Sequence, residues 1–465
     1  MDASDVCYLP ASELVERFRS RALSPVEVTR AVLDRIDALN PQLNAFVTVT
    51  HDRAMADAQR AEAAYASGDP PPLAGVPVSI KDLVPTKGIR TTRGSLLDPD
   101  WIPDEDPVFV QRLYDAGVVM LGKTNTPEGG WKGETTNRVA GTTRNPWNLE
   151  RTPGGSSGGA SAAIAAGLGP LAQGGDGAGS IRIPAAFAGI FGHKPSFGRV
   201  PYPGSSPTQL AHTGPMTRTV RDAAMMLDVM AGPDPSDRFS LAKAPSFTED
   251  IEGGIAGLRV AWSLDLGYAQ VEPEIAELTA AAARTFEELG CVVEEAHPGL
   301  DDPWDLVDIL FAMGQAGAVA DRLDEIGHLL DQGRLRLIER ALDWSAVDIQ
   351  QAMSKRDEYW DGMRVFFETY DLLLTPAVPV AAFQAGVDYP ATINGVEMSY
   401  LGWTPFTYPF NLTGQPSASV PCGFTGDGLP AGLQITGRWR DDATVLRASA
   451  RFEEAMPWTD ATPDI

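Results

Sequence analysis

The sequence predicts an α/β fold: a mixed central β-sheet flanked by helices on both faces, with a mainly helical cap-like segment at about residues 301–370. Three observations carry that expectation. Short β-branched or apolar runs alternate with stretches of helical periodicity along nearly the whole chain. The 465 residues, 43% of them hydrophobic, can fill a large core, and no repeat or low-complexity linker divides them, so 1–465 reads as one domain. Between Asp301 and Tyr370 the strand signal stops, and Trp304, Phe311, Trp344, Trp360, Phe366 and Phe367 lie scattered among acids. Two readings of those aromatics stay open: ordinary core packing, or a helical cap over an apolar pocket.

Taken in order, Ser24-Pro25-Val26-Glu27 has the form of a capping box with Pro at the first helical position. Val28, Val32, Ile36 and Leu39 continue that helix to Asn40-Pro41, where it is expected to stop. Asn44 to Thr50 reads as a strand and His51 to Ala66 as a helix. Asp106-Pro107 is expected to cap a helix reaching Gly117, with a buried strand over Val118 to Leu121 behind it. The Pro/Gly-rich stretches near 68–77 and 203–215 read as loops. Ser161 to Ala166 continues a helix that begins just after a glycine-rich serine loop. Leu258 to Trp262, a helix over about Glu272 to Leu289, and Cys291 to Glu295 form a βαβ-like unit. Strand-like sequence returns at Leu372 to Thr375, Pro416 to Pro421 and Leu433 to Thr436.

A formal net charge of −25 at pH 7 argues against nucleic-acid binding, which depends on clustered Lys and Arg, and favours solubility. The opening MDASDVCYLPASELVERF lacks the basic and apolar regions of a signal peptide, and no apolar run is long enough for a bilayer. A soluble, cytoplasmic protein with no membrane partner is therefore expected. Cys7, Cys291 and Cys422 are odd in number and far apart, which points to isolated thiols rather than a disulfide framework. Five histidines without HExxH or HxH spacing leave no metal signature, and no cofactor is called for.

Chemistry concentrates in two glycine-rich serine loops, TPGGSSGG at 152–159 and GGDGAGSIRIPA at 174–185, and in GVPVSIKD, which holds Lys81. A serine needs a base to become a nucleophile, and glycines clear side chains away so that backbone N–H groups can reach a developing oxyanion. That vocabulary belongs to acyl transfer. His193 and His212 invite a Ser–His–Asp reading, yet neither has a GxSxG nucleophile-elbow partner. Lys123, Lys194 and Arg218 also lie in motif-bearing stretches and are read as structural charges.

These motifs, together with GKTN at 122–125, GHKPSFGRV at 192–200, HTGPMTRTVRDAA at 212–224 and NLTGQPSASVPCGF at 411–424, resemble the amidase signature family over nearly the whole chain. The resemblance implies that family's fold and a Ser–cis-Ser–Lys triad: Ser180 as nucleophile, Ser156 as bridging serine after a cis peptide bond, and Lys81 as base. The two serines stand 24 residues apart, the family's usual spacing. Gly177, Ala178, Gly179 and Ser180 would form the oxyanion hole, with Ser157, Asp176 and Arg182 in support. Gly129, Gly130 and Trp131 would lie along the acyl channel, Trp131 being open as well to a packed-loop reading.

Two departures matter. Position 178 is Ala where the family commonly has Gly, and its methyl group is either accommodated without loss or narrows the acyl site. Ile183 follows Arg182, where glutaminase subunits of tRNA-dependent amidotransferases commonly carry Gln. The expected activity is therefore hydrolysis of a small-molecule amide, ester or carbamate (urethane) through an acyl-serine intermediate. The alternatives are a catalytically dead binding protein, weakened by three intact triad positions, and the glutaminase subunit of a tRNA-dependent amidotransferase.

Overall fold

The structure, a computed structural model, describes residues 3–202 and 207–465, so part of the Pro/Gly-rich stretch near 203–215 lies outside the described residues. Among the described residues one sheet has eleven strands. They are β1 (Phe46–Val49), β2 (Pro77–Lys81), β3 (Val119–Thr124), β4 (Leu171–Asp176), β5 (Phe191–Lys194) and β6 (His212–Thr217). The rest are β7 (Arg259–Trp262), β8 (Val292–Glu295), β9 (Leu372–Pro376), β10 (Ser417–Phe424) and β11 (Pro430–Gly437). Their order across the sheet is β1-β3-β2-β4-β6-β5-β10-β11-β9-β7-β8.

The sheet is mixed, as expected. β2 runs parallel to β3 and β4, and β7 runs parallel to β8 and β9. The remaining pairs are antiparallel. Every residue of β2 and β3 is buried, which is why PVSIK and VMLGKT read as near-continuous runs instead of alternating polar and apolar positions. The βαβ-like unit forms as read, with the Pro273–Glu288 helix joining parallel β7 and β8.

Three local expectations need correction. HTGPMT, read as part of a loop, is β6 in mid-sheet. Pro215 is tolerated there because β5 pairs only with Met216 and Thr217, so its missing N–H falls beyond that ladder. The Pro25–Leu43 helix runs through Pro41 and ends at Asn44 in the left-handed region, φ 52°. In the last turn a proline forfeits a single ladder bond. Ser24 Oγ does accept from the N–H groups of Val26 and Glu27 at the other end. The Val108–Asp115 helix has no side-chain cap; Asp106 instead accepts from the Lys87 N–H at 2.7 Å.

Helices cover the sheet through two large apolar clusters. Val28, Val32 and Ile36 meet Ala54 and Ala58 of the His51–Ser67 helix in one of them. Leu227 of the Val220–Met230 helix, Phe286 and Phe452 meet in the other. Residues 301–370 hold the Trp304–Ala316, Gln332–Leu342 and Ala346–Thr369 helices and several short turns. Most aromatics there pack among themselves or against the core, Trp304 standing 5.5 Å from Tyr400 and 5.7 Å from Tyr408 between ring centroids. Cys7, Cys291 and Cys422 are free and buried. Among the described residues no helix is long and apolar enough to cross a membrane.

Candidate active site

Because β2 and β4 are parallel neighbours, their carboxyl ends lie side by side, and each ends in a charged residue: Lys81 on β2 and Asp176 on β4. Ligand sites of α/β sheets gather at such ends. The two serine loops fold over this edge. Ser157 precedes the Gly158–Ala165 helix and Ser180 lies just before the Arg182–Ala188 helix. The Ser157 N–H donates to the Ser180 carbonyl at 3.2 Å, tying one loop to the other.

Lys81 is 1% exposed, and its Nζ reaches three oxygens: Ser156 Oγ at 2.7 Å, Ser157 Oγ at 2.9 Å and the Gly175 carbonyl at 3.3 Å. Burial pulls the Lys81 pKa down to about 7, the Asp176 charge opposing part of that fall. The Gly155–Ser156 peptide bond is cis. Gly155 is required there by space, since a Cβ would stand 2.6 Å from the Glu134 backbone nitrogen. Ser180 is half-buried, and its Oγ makes no hydrogen bond among the described residues.

The turn carrying Ser180 is built around Asp176. This carboxylate accepts from the Gly179 N–H at 2.7 Å, the Ile181 N–H at 3.1 Å and the Arg182 guanidinium at 3.0 and 3.1 Å. Although burial opposes ionisation, Arg182 and these hydrogen bonds hold Asp176 well below the usual carboxylate range. Arg182 is held in turn by Asn411 Oδ1 at 2.6 Å and Gln434 Oε1 at 2.9 Å. Asn411 also donates to the Asp176 carbonyl at 2.9 Å. Of the four N–H groups read as an oxyanion hole, that of Gly179 is thus committed to Asp176. Those of Gly177, Ala178 and Ser180 have no acceptor among the described residues. The Ala178 methyl group belongs to an apolar cluster with Leu210, Phe406 and Tyr408, and its carbonyl accepts from Thr407 Oγ1 at 2.7 Å. It therefore packs into the core, which favours the reading in which this methyl is accommodated.

A cleft of ≈ 820 Å³, counted to its open mouth, meets Lys81, Ser156, Gly177 and Ser180. Leu83, Val84 and Leu210 give it apolar walls, and the helical segment contributes Phe311, Gly314 and Gln315. Gly129 and Gly130 line it as expected, but Trp131 does not. That indole is 3% exposed, stacks on Tyr400 at 6.1 Å and lies against Gly333. Its place among bulky neighbours was hidden because Tyr400 and Gly333 are remote in sequence.

The other candidate groups make no hydrogen bond to Ser156 or Ser180 among the described residues. Lys123 donates to the Val84 carbonyl at 2.6 Å and Thr91 Oγ1 at 2.7 Å, and burial lowers its pKa to about 8. Lys194 is held by the Gln415 carbonyl at 2.5 Å, and Arg218 donates to the Thr459 carbonyl. His193 lies 3.4 Å from Asp442, and His212 bonds through Nδ1 to the Leu210 carbonyl at 2.8 Å. Neither imidazole bonds a serine among the described residues. Sequence reasoning missed Asn411, which opens the quoted NLTGQPSASVPCGF motif, Gln434, in the strand-like run from Leu433 to Thr436, and Gly314 and Gln315, which carry no motif at all; Phe311 lines the cleft, as the cap reading of its segment allowed.

The family model described as Amidase matches residues 27–446. The chain belongs to the amidase signature family. Within that family it is 42% identical to an acylamidase of Rhodococcus erythropolis over 482 aligned positions, covering 100% of this chain and 98% of that one. A bacterial aryl acylamidase of the amidase signature family superposes with a TM-score of 0.93 at 35% identity, over 98% of each chain. The chain is also 36% identical to a glutamyl-tRNA(Gln) amidotransferase subunit of Moorella thermoacetica, over 99% of both. The protein is thus an amidase signature hydrolase with the family's large mixed sheet.

Proposed function

We propose that this amidase hydrolyses neutral carboxylic amides bearing an apolar or aryl substituent through an acyl-Ser180 intermediate, with Lys81 as base and Ser156 as proton relay. The observation that carries the proposal is the buried Lys81 amine at 2.7 Å from Ser156 Oγ at the head of an apolar cleft. A neutral amine has two N–H donors and one lone pair. The Gly175 carbonyl can only accept, so it takes one N–H. Ser157 Oγ donates to that same carbonyl at 3.2 Å, so towards Lys81 it accepts and takes the second. The lone pair is left for the proton of Ser156, and this supports Ser156 over Ser157 as the relay. Ser156 then takes the Ser180 proton as its Oγ attacks the substrate carbonyl, and the relay run backwards protonates the leaving amine. The N–H groups of Gly177, Ala178 and Ser180 stabilise the oxyanion. Carbamates and esters present the same carbonyl and leaving group, so they are within reach of the same machinery.

The amidotransferase likeness raises glutamine as a second substrate, and the cleft argues against it. Glutamine carries an ammonium and a carboxylate, each needing a partner when buried. Among the described residues Lys81 and Asp176 are the charged side chains lining the cleft, and both are committed to the loops. A panel of anilides, short aliphatic amides, aryl carbamates and free glutamine tests the reading, with a sulfonyl fluoride as covalent probe. Anilide turnover and an adduct located on Ser180 by peptide mass are expected, both lost in Ser180→Ala. Glutamine as the best substrate, or labelling that survives the substitution, would refute it.

A further inference from the structure

Four consecutive residues, Glu128 to Trp131, join the helical segment to the serine–lysine cluster. Glu128, 3% exposed, accepts from Ser95 Oγ at 2.6 Å, from Arg334 Nη1 at 3.2 Å and from the Asp331 N–H. Arg334, on the Gln332–Leu342 helix, also donates through Nε to Gln315 Oε1 at 3.0 Å. Gln315 Nε2 donates in turn to the Gly129 carbonyl at 3.1 Å. A guanidinium only donates and a carbonyl only accepts, so these two bonds fix which way the Gln315 carboxamide points. Gly129 and Gly130 are left-handed, at φ 58° and 71°. A Cβ on Gly129 would lie 2.9 Å from Arg334 Cζ, and one on Gly130 would lie 3.2 Å from Ser156 Oγ. One strip of glycine backbone therefore separates a buried guanidinium from the hydroxyl that Lys81 holds.

We propose that Arg334 is a positioning residue for the reaction: through Glu128, Gln315 and Gly129 it sets the cleft wall facing Ser156 and so decides which amides are aligned for attack. Arg334 itself does not line the cleft, whereas Gly129 and Gln315 do. Its planar fork serves Glu128 and Gln315 together, which a single ammonium point charge cannot reproduce. The inference rests on the serine–lysine reading given above.

The test compares wild type with Arg334→Lys, Gln315→Met and the charge-neutral pair Glu128→Gln/Arg334→Met, since Arg334→Met alone strands a buried carboxylate. Each is assayed with acetanilide and a bulky aryl anilide, for thermal melting, and for Ser180 labelling by methanesulfonyl fluoride. For the bulky substrate kcat/KM should fall on the order of tenfold to a hundredfold, chiefly in kcat, while the labelling rate stays within about threefold. Arg334→Lys should not restore it, and Gln315→Met, which leaves the ion pair intact, should reproduce the loss should the paired variant fail to fold. An equal fall for both substrates in step with labelling and Tm, or wild-type kinetics in the charge-neutral pair and in Gln315→Met, overturns the proposal. An unlabelled wild type removes the serine–lysine reading beneath it, and the proposal with it.

Discussion

At Ala178 the structure favours one of two readings that the sequence leaves open. Its methyl group packs with Leu210, Phe406 and Tyr408 instead of facing the substrate. Ala178→Gly should therefore leave the acyl-size preference alone. It should cost about 1–2 kcal/mol of stability, from one lost buried methyl and greater backbone freedom, and slow all substrates by a similar factor. The ratio of kcat/KM for acetanilide and a bulky aryl amide, measured alongside a denaturant melt, checks this. A ratio that moves toward the bulky amide would put the methyl group back at the substrate.

The Trp304–Ala316 helix is the element that shapes the cleft. Phe311, Gly314 and Gln315 stand at i, i+3 and i+4, one stripe of that helix, and all three line the cleft. Gly314→Leu should therefore fill space that substrate uses. The expected result is a loss of roughly tenfold or more in kcat/KM for the bulkier of two anilides, with the smaller one spared, since a few methylenes in a pocket are worth about 1–3 kcal/mol. The melting temperature should not fall, because Leu favours helix over Gly by ~1 kcal/mol. Equal losses for both anilides would mean that this stripe does not touch substrate.

Across the whole molecule, among the described residues, three buried lysines have a lowered pKa: Lys81 with one of about 7, Lys123 with one of about 8, and Lys194 lowered well below its ordinary value. Burial is the leading cause in each. For Lys81 the unfolded chain binds a proton that the folded chain lacks between about pH 7 and 10.5, so unfolding is favoured there, and the penalty is complete below about pH 7. Removing the amine relieves that penalty. Lys81→Met should abolish turnover and raise the melting temperature, by the equivalent of a few kcal/mol near pH 6 and by progressively less toward about pH 10. Wild-type activity should rise as pH rises through about 7, where Lys81 becomes a base. Added chelator should not change that activity. A stability gain that does not vary with pH would mean that Lys81 is charged in the folded protein.

The sequence by itself singled out the residues that the fold gathers at one cleft, Lys81 and the two serine loops with Ser156, Ser157 and Ser180, and the alternation of strand and helix that makes a mixed sheet. These were readable because each is local, a short motif or a periodic run whose residue types follow from the job. The tertiary structure alone decided what surrounds them. Asn411 and Gln434 meet Arg182 from 229 and 252 residues away, and Arg334 meets Glu128 across 206. Periodicity says that such groups face inward, not which partner they find. The same limit hid Pro215 in mid-sheet and Trp131 beneath the helical segment, since the neighbour that makes each position tolerable is placed by the fold and not by the adjoining sequence.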